Sequence, residues 1–462
     1  MLIIAYNYNI IGCSSNWEQN NASFALFNRI KAFAPGIVTI MGGSNCEGEM
    51  AEGIALACRN IDYIFSGEAE VSFKDFLDNY SKGLPMDNRI ITSTPVQNLN
   101  AIPLAEPESF KRQYNQFIGT REQTDWAVSY ESSRGCYWGN CTFCGMNGKN
   151  RKKFRKKDPK KVIRELEHLY KKNPERLFSM IDKVMPKEYK EEFLPLLEKK
   201  EMFSPLWYEQ RSDLSFKELV QLFKARVTSI QPGIEALSDG LLKLMRKGIS
   251  VAHNILLLRH ARCLNLYMKW NLLWGFPGEK KEYYEETLAL LPLLCHFQPP
   301  LVFRHLSIDR FSPYYNTPGN FGISNLRPWE AYKGVYPGDA CISKLAYRFI
   351  GDYSSCLDGE SGLIHRIAGE LDVWKKRWKN TYLAMKPIMG AYAIFDNRDN
   401  PEKPATHILE AEQAREIMVS GPYNGNLHQK WAVERNLAVV SGTTYVPLVT
   451  APPKLLLEFG QK

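Results

Sequence analysis

Three cysteines lie within nine residues in the stretch SSRGCYWGNCTFCG (132–145), spaced Cys136-x4-Cys141-x2-Cys144 and set among three glycines and a tryptophan. A loop this dense in thiols either pairs off, packs, or binds a metal, and the spacing separates these. A structural zinc site takes four ligands, usually two CxxC pairs or one CxxC with paired histidines. The nearest histidine in sequence is His168, and no second CxxC occurs. A disulfide would strand one of the three thiols, and nothing in the chain calls for an oxidising compartment. Three thiolates suit three irons of a 4Fe-4S cluster and leave the fourth iron open to another ligand. Phe143, between the last two cysteines, and the flanking glycines suit a tight loop around such a cluster. The other cysteines (Cys13, Cys46, Cys58, Cys263, Cys295, Cys341, Cys356) are scattered, mostly among apolar neighbours, and read as small buried hydrophobes.

A chain of 462 residues with 44% hydrophobic content has material for two or three domains. No run approaches the eighteen or so uninterrupted apolar residues of a membrane span. The start, MLIIAYNYNIIGCSSNW, lacks a basic segment and a small-residue cleavage site, so it reads as a buried strand rather than a signal peptide. A cytoplasmic protein is therefore expected. Much of the net charge of +9 is local: KNRKKFRKKDPKK (149–161) carries nine Lys or Arg against one Asp. Such a run is ordinarily a solvated face. Its functional alternative is an electropositive rim for a polyanionic cofactor, an acidic peptide or nucleic acid, with nucleic acid the remotest of these.

Strand and helix patterns alternate in two blocks. Over 1–85, YNIIGCSS, IVTIMGGSN and IDYIFSGEAE read as strands ending in small residues, with helices between them. That is a partial doubly wound α/β domain whose strand ends, Gly12, Ser14, Gly42, Gly43, Gly67 and Glu68, face a ligand. Residues 86–124 read as a linker. Over 125–320, strands at WAVSYE, LFSMID, SPLWYEQ, SIQPGIE, MKWNLLWGF and VFRHLSI alternate with amphipathic helices, an open partial (β/α)6 barrel. The three cysteines follow its first strand, at the mouth where such barrels do chemistry. Residues 321–462 read as a small α+β accessory region, with a helical or winged-helix module at its end.

With the cysteine loop at that place, the chain resembles the radical S-adenosylmethionine (SAM) superfamily. There the open iron chelates SAM, and reduction cleaves it to a 5′-deoxyadenosyl radical. Downstream segments fit in order. QPGIEALS (231–238), with Gly233 and Glu235, is similar to the motif that contacts the ribose and methionine of SAM. EQR (209–211) ends the third strand, with Glu209 beside it, and places Arg211 where it can meet the SAM carboxylate. LMRKG (244–248) supplies Arg246 as a second candidate. GFPGE (275–279), with Gly275, resembles the segment near the adenine. The first cysteine gap is one residue longer than the superfamily's usual CxxxCxxC.

Taken together, RGCYWGNCTFCGMNG, IQPGIEALSDGLLKLMRKGIS, WNLLWGFPGE, FQPP and DRFSPYYNTPGNFGI resemble one subfamily over roughly residues 8–350: cobalamin-binding radical SAM enzymes that C-methylate ribosomally made (RiPP) peptides. NCEGEMAEGIA and IDYIFSGEAEVSF are similar to its cobalamin domain. The resemblance implies hydrogen abstraction from an unactivated carbon of a precursor peptide carrying a leader, methyl delivery by cobalamin, and an electron donor such as flavodoxin or ferredoxin. An unactivated C–H bond is beyond the reach of a side-chain base, so the cofactors carry the hard step. Two departures stand out. The first cysteine gap is shorter than is common in this subfamily, and the chain begins where the subfamily's third cobalamin-domain strand would be; the DxHxxG lower-ligand motif is also absent, which the subfamily tolerates. An exposed edge of such a half-sheet invites association, so a poorly soluble or dimeric chain is expected. Tyr314, Tyr315, Arg310 and His305 are candidates for lining a substrate pocket, or for ordinary packing and pairing. Two alternatives remain: a cobalamin-free radical epimerisation or crosslinking of peptide, and an inactive homologue that binds leader peptide through its C-terminal module.

Overall fold

The computed structural model describes residues 7–117, 126–147, 153–174, 176–200, 204–357 and 361–460. It divides into two units by contact, one comprising residues 1–102, 143–150 and 307–353, the other 103–142, 151–306 and 354–462.

In the first unit, β1 (Ile10–Ser14), α1 (Asn20–Phe33), β2 (Val38–Gly42), α2 (Glu49–Ala57), β3 (Tyr63–Ser66), α3 (Glu70–Ser81) and β4 (Ile90–Thr92) alternate along the chain. The strands form one parallel sheet in the order β1-β2-β3-β4. Its layers follow from residue spacing. Phe24, Phe27 and Ile30 fall on one stripe of α1 and, with Ala51 and Ile54 of α2, cover one face over Met41 and Ile64. Phe76 of α3 closes the other face over Ile40 and Phe65. The sheet thus continues past the expected boundary at residue 85, because Ile90, Ile91 and Thr92 pair with Ile64, Phe65 and Ser66.

The second unit holds the barrel strands β5 (Val128–Tyr130), β6 (Phe178–Met180), β7 (Leu206–Gln210), β8 (Val227–Pro232), β9 (Tyr267–Met268), β10 (Asn271–Trp274) and β11 (Val302–His305). Five of them make a sheet in the order β9-β8-β7-β6-β5, and β10 pairs with β11. A parallel bridge from Glu235 to Leu272 carries the curve from β8 to β10. All six expected strand segments are present. The helices between them include α4 (Pro159–Lys172), α5 (Phe216–Lys224), α6 (Asp239–Leu244), α7 (Val251–Leu264) and α8 (Lys281–Leu294). Local chemistry starts them: Asp158 caps α4 by accepting from the N–H groups of Lys160 and Lys161, with Pro159 in the first turn. Ser215 and Glu218 form a capping box at α5.

The chain after the barrel is shared out differently from expectation. Residues 321–353, assigned above to the C-terminal region, cluster with the first unit. There β12 (Ile308–Asp309), β13 (Ser324–Pro328) and β14 (Arg348–Asp352) form an antiparallel sheet, and α9 (Ile342–Leu345) packs on α2. Arg310, 1% exposed, ties these pieces together: it donates to the carbonyls of Ala346 and Ser343, to Tyr315 Oη and to Glu49 Oε2. The remainder stays in the second unit. After α10 (Ser361–Arg377) comes a meander of β15 (Leu383–Ile388), β16 (Ala391–Asp396) and β17 (Ala405–Leu409). Then α11 (Ala411–Met418), β18 (Gly421–Pro422), α12 (Leu427–Glu434) and the hairpin of β19 (Ala438–Ser441) and β20 (Thr444–Pro447) make up a small α+β module, with β18 paired to β20. Arg259 of α7, fully buried, anchors it by donating to the carbonyls of Val449 and Met418. Among the described residues, no helix is long and apolar enough to cross a membrane.

Candidate functional site

The cysteine loop leaves β5 under tight control. The Asp182 carboxylate, at the end of β6, accepts from the backbone N–H groups of Ser132 (2.7 Å) and Ser133 (2.8 Å), from Ser132 Oγ, and from Tyr208 Oη (2.7 Å). Burial outweighs these four donors and pushes its carboxyl up to about 6. Sequence reading passed over Asp182; the only signal was its place at the end of LFSMID. Beyond this anchor, Cys136 and Cys141 are half-buried and free of disulfides. Burial raises the Cys141 thiol, and the charges of Lys247 and Arg211 pull it back down. The division between units passes between Thr142 and Phe143, so Cys144, also half-buried and outside any disulfide, clusters with the first unit. There Gly145 fits against Tyr347 and the carbonyl of Arg310, where a Cβ would overlap both.

The expected SAM-contacting residues of the second unit gather at the carboxyl ends of β7 and β8. Glu209 is pushed up to about 7, by burial first, with Asp182 and Glu235 adding to it and Lys183 opposing. Glu235 adopts φ +59°, uncommon for a residue with a side chain, and its carbonyl accepts from Leu273. Its carboxyl is raised by burial and faces Lys247 at 4.0 Å. Gly233 leaves the space that the Lys247 ammonium occupies. Arg211 is committed to protein partners: Asp213 at 3.0 Å, the carbonyls of Lys247 and Gly248, and the Trp138 ring at 4.4 Å. Arg246 contributes its carbonyl, which accepts from the Trp138 indole at 2.9 Å.

The GFPGE turn is built around a residue the sequence reading did not single out. Glu279, 5% exposed, accepts through Oε2 from the N–H groups of Gly275 (3.0 Å) and Phe276 (2.6 Å) and from Tyr284 Oη, and through Oε1 from Ser355. Gly275 has φ +84°, and a Cβ there would strike the His305 ring. His305 thus packs against this turn and against Trp274. The other pocket candidates belong to the first unit. Tyr314 is buried against Phe321, and Tyr315 and Arg310 are spent on the Glu49 cluster. Packing and pairing account for all four. Of the basic run, residues 149–152 lie outside the described residues. Lys157, 5% exposed, is paired with Glu165 at 3.0 Å, so part of the run is structural rather than a solvated face.

In the first unit, Ser14, Gly42, Gly43, Gly67 and Glu68 lie at the carboxyl ends of the strands or just beyond, but Gly12 does not. It sits within β1, where a Cβ would press on Ile40, so it is a packing glycine. Gly43 (φ +97°) is required by the close approach of Ser15 backbone atoms. Glu68 is spent on the Val96 N–H at 3.1 Å. Gly67 (φ +97°) has only ordinary contacts, with Ser93, and Gly42 only one, with Phe65, so both strand ends have room beside them. No histidine occurs in residues 1–102, so an imidazole ligand for cobalt does not come from this sheet.

The donors fit a cluster in chemistry: three thiols in one short loop, none in a disulfide, two of them in a unit where cationic groups flank Cys141. Among the described residues no three His, Cys, Asp or Glu side chains converge as a finished metal site. The fit is one of donor set and setting. For cobalamin the fit is that of a parallel sheet with small residues at its ligand-facing edge.

Comparison with known proteins agrees with this setting. Residues 130–291 match the profile of the Radical SAM superfamily. An uncharacterized methyltransferase of Pyrococcus horikoshii, PH0819, is 24% identical over 310 residues, which cover 62% of this chain and 64% of the relative. The cobalamin-dependent SAM radical enzyme OxsB, solved with aqua-cobalamin and SAM, superposes with a TM-score of 0.61 at 16% identity, over 78% of this chain and 58% of that one. The radical SAM methyltransferase TsrM of Kitasatospora setae gives 0.57 at 14% identity, over 78% of each chain. The chain thus spans less than two thirds of the Pyrococcus relative and of OxsB. At these identities the solved structures speak for fold alone. Residues 130–291 are thus similar to the Radical SAM superfamily, and the chain shares the α/β fold of the cobalamin-dependent radical enzyme OxsB and the methyltransferase TsrM.

Proposed function

We propose that this chain is a radical SAM enzyme that methylates an unactivated carbon of a ribosomally made precursor peptide, using a 4Fe-4S cluster, SAM and cobalamin. The observation that carries this reading is the three-thiol loop at the end of the first barrel strand, inside the region similar to the Radical SAM superfamily. When bound, the cluster supplies the electron that cleaves SAM, and the corrin carries the methyl group. Cys136, Cys141 and Cys144 would ligate three irons. Gly233 and Glu235 line the strand end where SAM would lie, and Glu209, held near neutrality by burial, can hold a proton on its carboxyl there. Gly67 and Ser14 mark the sheet edge for cobalamin. The methylated RiPP peptide and the electron-donor protein, of flavodoxin or ferredoxin type, rest on the sequence resemblance.

One observation favours the cobalamin-free alternative: Gly43 and Glu68 are accounted for by contacts within the sheet itself. Anaerobic reconstitution with iron, sulfide and hydroxocobalamin decides between them. The proposal expects near-stoichiometric iron–sulfur absorbance and cobalamin, with 5′-deoxyadenosine formed from SAM. Cluster and SAM cleavage without cobalamin uptake would remove the methyltransferase reading, and no cluster in wild type would remove both.

A further inference from the structure

We propose that Trp138, seated on the LMRKG turn, is a positioning residue for the cluster-binding loop; this rests on the proposed role of the cysteines. Helix α6 ends at Leu244, where the last carbonyls of a helix lack intrahelical partners. Here five consecutive carbonyls are taken up. Leu244 accepts from Thr142 Oγ1 (3.2 Å), Met245 from Thr142 N–H (3.0 Å) and Arg246 from Trp138 Nε1 (2.9 Å). Lys247 and Gly248 accept from Arg211 at 3.1 and 3.4 Å. Arg211 lies over the Trp138 ring at 4.4 Å and is itself held by Asp213. The two loop residues bound to the turn, Trp138 and Thr142, bracket Cys141, and Trp138 follows Cys136 by two positions. Every group in this set belongs to the second unit.

The turn's backbone is shaped to receive the indole. Arg246 and Gly248 both have positive φ, +53° and +64°. A Cβ on Gly248 would overlap the six-membered ring of Trp138. The ring therefore occupies the space that the absent side chain leaves, with its N–H on one carbonyl and a guanidinium over its face. A tryptophan needed only for burial would not take a hydrogen bond, a stacked cation and a glycine seat at a half-exposed loop position. LMRKG then acts through backbone and shape, in addition to any contact the Arg246 side chain makes.

The full chain tests this as wild type and as Trp138→Phe, Trp138→Ala, Gly248→Ala and the double variant Trp138→Ala/Gly248→Ala. Two readouts are used: alkylation rates of Cys136 and Cys141 in the metal-free protein, and iron content with its visible spectrum after anaerobic reconstitution. Trp138→Phe keeps the ring and loses one hydrogen bond, so its thiols should alkylate roughly fivefold faster, the factor one ordinary hydrogen bond sets. Trp138→Ala and Gly248→Ala should exceed that and load iron poorly or with an altered spectrum. Gly248→Ala alone should also melt earlier than wild type, and the double variant should regain part of that melting temperature but not the wild-type spectrum. Wild-type alkylation rates and spectrum in Trp138→Ala would overturn the proposal. So would recovery of the wild-type spectrum in the double variant. If wild type itself takes up no cluster, the function proposed above fails, while the alkylation rates still decide whether Trp138 holds the loop.

Discussion

His260 and His296 are each 1% exposed, and both lie in the second unit's core. Neither ring nitrogen of His260 has a partner; the ring packs on Phe216, with the Arg259 charge nearby. His296 uses one nitrogen on the Leu448 carbonyl at 2.9 Å. Burial, then the Arg398 charge, pushes it down to about 3, with Asp396 and the Leu448 carbonyl opposing. His260 is displaced in the same direction, by burial and by Arg259. A histidine held neutral in the fold contributes stability that is complete above its unfolded value of 6.5 and is lost as the pH falls below it. From pH 7.5 to 5.0 that loss is about 2 kcal/mol for each ring, about 4 kcal/mol together. Asp182 and Glu209 run the other way. Their raised carboxyls take up protons on folding, so acidification over the same range returns about 1 and about 2 kcal/mol. These carboxyls mask part of the histidine loss in the wild-type profile, and the variant His260→Phe/His296→Gln exposes the hidden term. Phenylalanine fills the first site without a polar atom, and glutamine preserves an N–H for Leu448. The assay is urea unfolding followed by tryptophan fluorescence. Trp270 and Trp374 are buried in an edge-on pair, and the Trp374 indole donates to the neighbouring Phe297 carbonyl. Relative to wild type, the variant should gain about 4 kcal/mol on going from pH 7.5 to 5.0. Parallel pH profiles for the two proteins would refute the reasoning.

Three further outcomes follow from buried groups. Glu279→Ala removes the carboxylate that the Gly275 and Phe276 N–H groups and Tyr284 Oη share and should cost about 3 kcal/mol in urea unfolding, whereas Glu279→Gln, which keeps an acceptor, should cost about 1 kcal/mol; equal losses would contradict the turn-anchor role. Asp182→Asn, which keeps a carbonyl for the Ser132 and Ser133 N–H groups, should abolish the part of the pH profile near 6 while retaining the fold by circular dichroism. Arg310→Met should weaken hydrogen-exchange protection over residues 342–349. The reason is the stranded carbonyls of Ser343 and Ala346 rather than the ion pair, since the Glu49 side chain is 62% exposed and stays hydrated. An equal loss in Glu49→Gln would reverse that assignment.

The fold was legible where periodicity and length agreed. The six barrel strands were read from apolar runs closed by polar or small residues, because a parallel strand buried on both faces leaves that pattern. The fourth strand of the first unit was missed: Ile90–Thr92 is three residues long, too short for any period to show. The regrouping of residues 321–353 was also hidden. It depends on Arg310, which reads as a polar surface residue in sequence but is closed over by Ala346, Ser343 and Tyr315.

The site shows a different kind of limit. Sequence offers candidates by what their side chains can do, and Glu209, Glu235, Gly233 and Arg211 do gather at adjacent strand ends. Yet Arg246, chosen for its charge, contributes a carbonyl, and Gly275 and Gly248, one chosen for a motif and one ignored, both serve by lacking a Cβ. Backbone acceptors at Leu244–Gly248 are the same atoms whatever the side chains, so composition gives no hint of them. Their availability comes from a helix ending there, and the positive φ of Arg246 and Gly248 turns the chain past that end. The asparagines, glycines and aromatics of a cysteine loop are therefore best weighed against the nearest helix terminus, since that is where a short loop finds acceptors enough to be held. By that measure Trp138 and Thr142 are as much a part of the candidate site as Cys141, which they bracket.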